Sequence, residues 1–209
     1  MKWVLINMKY CFLFLLIFLY ACTTDHTLSS KENIQILPYG HFPEGQIDKI
    51  KEAVDSLYGF EVAILPAETM PKSFFINEKS PRYRADSIIK HLHKRYPQTI
   101  TLALSTKDIS TTKRDKLGRT KKPASRYADW GIFGLGYIGQ SGCVVSSYRY
   151  GGKNKIERLQ KICLHEIGHN LGLPHCPNSC LMADAAETIR TVDNVPMALC
   201  EDCSPKIKP

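Results

Sequence analysis

Near the C-terminus, the stretch HEIGHNLGLPHC (His165 to Cys176) sets three imidazoles and one carboxylate within twelve residues. Residues four apart share one face of a helix, so His165 and His169 aim their rings at one point. Glu166 stands beside the first of them, where its carboxylate can reach a water at that point. Gly172 tolerates positive φ and lets the chain turn sharply, and Leu173-Pro174 brings His175 back as a third nitrogen. Three nitrogens suit a zinc ion and leave the fourth tetrahedral position open, which is a catalytic rather than a structural arrangement. The chemistry this spacing predicts is hydrolysis, with Glu166 as general base.

A second group of chemistry-bearing residues follows. The chain has eight cysteines, of which Cys176-x3-Cys180 and Cys200-x2-Cys203 lie downstream of the histidines. Two short-spaced pairs that converge make a tetrahedral zinc site with four thiolates. Oxidation to disulfides is the alternative in an exported protein, although loops of two or three residues close a disulfide only with strain. Cys11 and Cys22 belong to the N-terminal segment, which leaves Cys143 and Cys163, as two buried thiols or one disulfide.

Together these residues resemble the archaemetzincins, a family of zinc-dependent peptidases in the metzincin clan. The family pattern HExxHxxGxxHC is met by His165 to Cys176, and Cys180-Leu181-Met182 continues it. Seventeen residues then separate Met182 from Cys200, and Cys203 completes the last pair. WGIFGLGYIGQSGCVVSSYRY is similar to the strand region that precedes the family's active-site helix. One departure is visible: Pro177-Asn178-Ser179 supplies three residues between the first two cysteines where the family usually has four. The resemblance implies two zinc ions, a catalytic one on His165, His169 and His175 and a structural one on Cys176, Cys180, Cys200 and Cys203. It makes Met182 the Met-turn residue beneath the catalytic metal. It also implies a peptide or protein substrate lying antiparallel to an edge strand. Affinity then comes mostly from backbone pairing.

The remaining sequence supplies the elements that position these groups. NIQILP (33–38) alternates as a first strand, and EGQIDKIKEAVDSLY (44–58) spaces Ile47, Ile50, Val54 and Leu57 as a helix that Gly59 stops. Residues 60–65 read as a second strand, 84–96 as a second helix and 99–105 as a third strand. Residues 130–138 and 143–147 read as two more, and 155–171 as the active-site helix. A C-terminal helix begins near Ala185. The expectation is an α/β (α+β) fold: a metzincin-like mixed, twisted sheet of about five strands, a backing helix, the active-site helix and a small zinc-bound C-terminal lobe. Its lobes divide near 33–172 and 173–209. His91 and His93 lie two apart on the second helix and face different ways, which excludes a shared metal. Tyr148 and Tyr150 are guesses, no more, for an oxyanion donor.

The N-terminus carries an address. Lys2 and Lys9 precede the apolar run CFLFLLIFLYA, which is too short for a permanent span. The run ends Leu19-Tyr20-Ala21-Cys22, which resembles a lipoprotein cleavage box with an unusual Tyr20. Residues 1–21 are therefore expected to be a signal peptide, Cys22 the lipidated residue and 22–32 a polar tether, in an exported, membrane-anchored monomer. Net charge is +8, and loss of Lys2 and Lys9 leaves about +6. Eight Lys/Arg between Lys107 and Arg126 face only Asp108 and Asp115; without interleaved aromatics they read as a solvated loop, and no nucleic acid is expected. The rival to a peptidase is a non-catalytic, zinc-stabilised surface lipoprotein that binds peptides. Glu166 argues against it, since a binding module has no use for that carboxylate.

Overall fold

The computed structural model describes residues 34–184 and 188–207. The signal peptide, tether and lipidated Cys22 expected above lie outside the described residues, as does the expected helix start at Ala185. The fold below is that of the unit running from Lys31 to the C-terminus.

In chain order the elements are β1 (Ile34–Tyr39), α1 (Glu44–Tyr58), β2 (Val62–Ile64), β3 (Phe75–Ile76), β4 (Arg82–Arg84), α2 (Ala85–Arg95), β5 (Ile100–Ser105) and β6 (Ile109–Thr111). Then come α3 (Ala124–Tyr127), β7 (Trp130–Ile132), β8 (Gly134–Gly136), β9 (Gly142–Ser146), α4 (Lys155–Asn170) and α5 (Ile189–Asn194). Five strands form the main sheet in the order β2-β1-β5-β9-β8. Its strands run parallel except β8, which pairs antiparallel with β9 and is an edge. This is the mixed α/β sheet of about five strands that the sequence predicts.

Alternation along the strands sorts side chains to two faces. Ile36, Leu102, Leu104, Cys143 and Val145 meet α1 and α4 in one cluster, while Leu37, Ala103 and Val144 meet α2 in the other. The helices thus cover both faces, with α1 and α4 together on one. On α1 the buried residues are Ile47, Ile50, Val54 and Tyr58, each worth roughly 1.5–3 kcal/mol of apolar burial. Gly59 ends the helix at φ 71°, its N–H bonded to Asp55 O. From Lys161 to Asn170 every residue of α4 is buried, as a helix enclosed on all sides must be.

Two expectations need correction. Residues 130–138 are not one strand: they break at Phe133 into β7 and β8, which belong to different sheets. The second sheet, β3-β4-β6-β7, has strands of only two or three residues. Such strands show too little alternation to be read. In addition, the basic segment after Lys107 is not wholly a loop, since it contains β6 and α3. Asp108 there is buried and takes Arg82 Nε at 2.8 Å and Arg149 Nε at 2.7 Å, tying β4 to the chain after β9. Removing Asp108 would leave these two partly buried guanidinium groups without that shared carboxylate. Asp115 instead accepts the Leu117 and Arg119 amides at 2.9 and 3.0 Å and folds the exposed loop on itself. Lys113 and Arg126 lie over Trp130 at 4.9 and 5.7 Å, so an aromatic does accompany these cations.

Candidate metal and catalytic centre

Three histidine nitrogens, one each from His165, His169 and His175, lie within 4.8 Å of one another. The first two project from the last turns of α4. Gly172, at φ 96°, then reverses the chain, with Gly172 N bonded to His169 O and Leu173 N to Gly168 O, both at 2.9 Å. Ring centroids sit 4.7, 5.4 and 4.8 Å apart.

What fixes the rings is the backbone beyond the helix. His165 Nδ1 is 2.9 Å from Leu181 O, and His169 Nδ1 is 2.8 Å from Leu173 O. A carbonyl only accepts, so each Nδ1 carries the proton and each Nε2 presents its lone pair. His175 Nδ1 has the Asp184 carboxylate 4.0 Å away, a partner the sequence reading missed. Burial pushes the His165 pKa down to about 4 and lowers that of His169, against the pull of the same carbonyls. Both rings are therefore neutral at physiological pH, as metal ligation requires. The donor set fits a zinc ion.

Glu166 is buried on the same turn. Burial pushes its carboxyl up to about 8, partly offset by a hydrogen bond from the Gly136 N–H. Met182 packs beneath the helix where Gly168 leaves room: a Cβ at Gly168 would lie 2.5 Å from Met182 Sδ and 2.9 Å from Tyr58 Oη. The Tyr58 hydroxyl donates to Leu164 O at 2.7 Å. Beside His165, a small recess of about 10 Å³ is lined by Lys161, Ile162, Leu181, Ala183, Val192 and Val195, mostly apolar.

The four sulfurs of Cys176, Cys180, Cys200 and Cys203 also lie within 4.8 Å of one another. The shortened Pro177-Asn178-Ser179 spacer does not keep them apart. Cys180 Sγ accepts the Met182 and Cys200 amides at 3.5 and 3.4 Å. Burial opposes ionisation of Cys200, yet the Asp202 amide and the Cys176 and Cys180 thiols bring it down to about 6. Four thiols so placed fit a second zinc. No disulfide joins the six described cysteines, and Cys143 and Cys163 are free buried thiols.

The other candidates fall elsewhere. His93 Nδ1 meets Ser141 Oγ at 2.9 Å and His91 packs edge-on to Phe74. Tyr150 is buried and stacks on Phe133 at 5.3 Å, while Tyr148 is 63% exposed; among the described residues no hydrogen bond joins either to the histidine trio.

Comparison with known proteins agrees with this geometry. The family model described as Peptidase family M54 matches residues 131–209. An archaemetzincin of Halobacterium salinarum is 28% identical over 182 residues, 81% of this chain and 96% of the relative. The solved archaemetzincin of Archaeoglobus fulgidus, complexed with malonate, superposes with a TM-score of 0.68 at 26% identity, covering 84% of this chain and 99% of that one. The archaemetzincin of Methanopyrus kandleri shares the fold, with a TM-score of 0.67 at 21% identity over 87% and 96% of the two chains.

Proposed function

We propose that this chain, an archaemetzincin-like zinc metallopeptidase, cleaves peptide bonds with Glu166 as general base and His165, His169 and His175 as ligands of the catalytic zinc. The observation that carries the reading is the convergence of three histidine nitrogens within 4.8 Å beside a buried carboxylate. When bound, zinc supplies Lewis acidity that acidifies water and polarises a carbonyl, and its charge draws the Glu166 carboxyl back toward ionisation.

The chain's own groups do the rest. Leu181 O and Leu173 O hold the proton on each Nδ1 and so keep the ligand face of each ring unprotonated. Glu166 takes a proton from the attacking water and delivers it to the leaving amine. The open edge of β8 gives an extended peptide a strand to pair with, which supports a substrate read mainly through its backbone.

In the same reading Cys176, Cys180, Cys200 and Cys203 hold a second, structural zinc, and Met182 is the Met-turn residue under the first. The chain acts as a monomer, exported and lipid-anchored through Cys22 after removal of residues 1–21. The charged start, the apolar run and the Leu19-Tyr20-Ala21-Cys22 box support that address.

The test is Glu166→Gln in the zinc-loaded full chain, assayed on a peptide library with metal analysis alongside. Turnover should fall about 10²–10⁴-fold with zinc content unchanged. Retained turnover would show that another group moves the proton.

A further inference from the structure

The edge strand β8 reads Gly134-Leu135-Gly136, and its two faces are unlike. Leu135 packs into the cluster on the α2 side. The opposite face, toward α4, bears no side chain at all, and α4 carries Glu166. A Cβ on Gly134 would lie 2.8 Å from Glu166 Oε1, 2.9 Å from its Cγ and 2.9 Å from Ile162 Cγ2. A Cβ on Gly136 would lie 2.6 Å from Glu166 O and 3.2 Å from Oε2. The carboxylate therefore occupies the strip that residues 134 and 136 leave empty.

Pairing with β9 adds a second, independent constraint. Ser146 N donates to Phe133 O at 2.9 Å, and alternation then turns the backbone groups of Gly134 and Gly136 toward the open edge. An outward amide on an edge strand ordinarily faces water or a partner chain. Gly136 instead faces the Glu166 carboxylate, with a Cβ built on it only 3.2 Å from Oε2, and its amide favours the ionised form of that group.

We propose that Gly134 and Gly136 are positioning residues for Glu166. The two bare Cα atoms form a slot that sets the carboxylate's place, and the Gly136 amide holds it there, so that the strand offered to the substrate also aims the base. This rests on the general-base reading of Glu166. It explains why glycines, poor strand formers, stand at both positions of the α4-facing side. It also assigns the Gly136 N–H to the enzyme's own carboxylate rather than to a bound peptide, leaving Gly134 as the outward residue whose N–H and C=O have no hydrogen-bond partner among the described residues.

The experiment uses the zinc-loaded full chain. Gly134→Ala sets a methyl against Oε1 and Cγ of Glu166 and Cγ2 of Ile162, and no histidine atom is among its three nearest neighbours. We expect kcat to fall about 10–100-fold, in line with a misplacement of roughly 1 Å, with KM within about twofold and zinc content unchanged. Gly134→Ala combined with Ile162→Leu removes the other close atom, and it should show the same loss whether or not the single variant folds fully. Independently of turnover, Gly136 amide exchange, followed by NMR in the metal-free chain, should accelerate about tenfold or more in Glu166→Ala. Wild-type kcat in a folded Gly134→Ala chain, or unchanged Gly136 exchange in Glu166→Ala, would overturn the proposal. Activity surviving Glu166→Gln would instead sink the general-base reading, so the two failures are distinguishable.

Discussion

The histidine cluster and the cysteine cluster are both four-residue constellations, counting Glu166 with the first, but they are built in opposite ways. His165, Glu166 and His169 stand on a sixteen-residue helix buried on all sides near its end. The cysteines stand on turns and irregular chain, Cys203 just before a short 3₁₀ segment (Ser204–Lys206), with amide-to-sulfur bonds taking the place of helical periodicity. A rigid helix carries three of the first set, with His175 beyond it, whereas the second depends on a lobe whose cluster is just Leu173, Cys176, Cys180, Met182 and Cys203, with three flanking residues. The chain passes from one to the other between His175 and Cys176, with no residue between.

That junction gives the sharpest way to break the contrast. His169→Ala should abolish turnover and remove one zinc, while the cysteine zinc and the fold survive, as metal analysis and circular dichroism would show. Cys180→Ser should remove the other zinc and also reduce turnover by an order of magnitude or more, because His175 is carried by the lobe that loosens. Limited proteolysis should then cut residues 173–207 first. If Cys180→Ser left turnover intact, the two centres would be independent.

A smaller effect is expected at Asp184. Asp184→Asn should weaken zinc at the histidine cluster by no more than about fivefold, because the carboxylate is exposed and 4.0 Å from His175 Nδ1, beyond hydrogen-bond distance. Chelator titration reads this directly, and the cysteine zinc should not respond. Smaller still, Gly168→Ala sets a methyl against Met182 and Tyr58. Overpacking of this kind costs about 1–3 kcal/mol, or about 2–4 °C in Tm per kcal/mol for a chain of this size, by thermal denaturation.

How much of this was legible depended on element length. The bounds of the helix 44–58 could be read to the residue, because Ile47, Ile50 and Val54 repeat at helical spacing and Gly59 marks the stop, although Tyr58 rather than the expected Leu57 is the fourth buried residue. The active-site helix was legible for the same reason, and its histidines by their four-residue spacing. WGIFGLGYI was misread as one strand because alternation continues through Phe133 while the hydrogen-bond partners change sheets. The sheet formed by β3, β4, β6 and β7 was missed because two- and three-residue strands have no period. Asp184 was missed since its link to His175 is spatial, two residues beyond Met182. Gly134 and Gly136 carried the one signal that could have been used: two glycines two apart in a strand mark a close approach by something else.

The carbonyls that settle the proton on His165 and His169 come from Leu181 and Leu173, both C-terminal to the helix. A fragment ending at Asn170 would retain the recognisable pentapeptide HEIGH yet lack what orients its imidazoles. Metal avidity in this protein is thus a property of its final forty residues as much as of its motif, and synthesis must reach them before the ion can be captured.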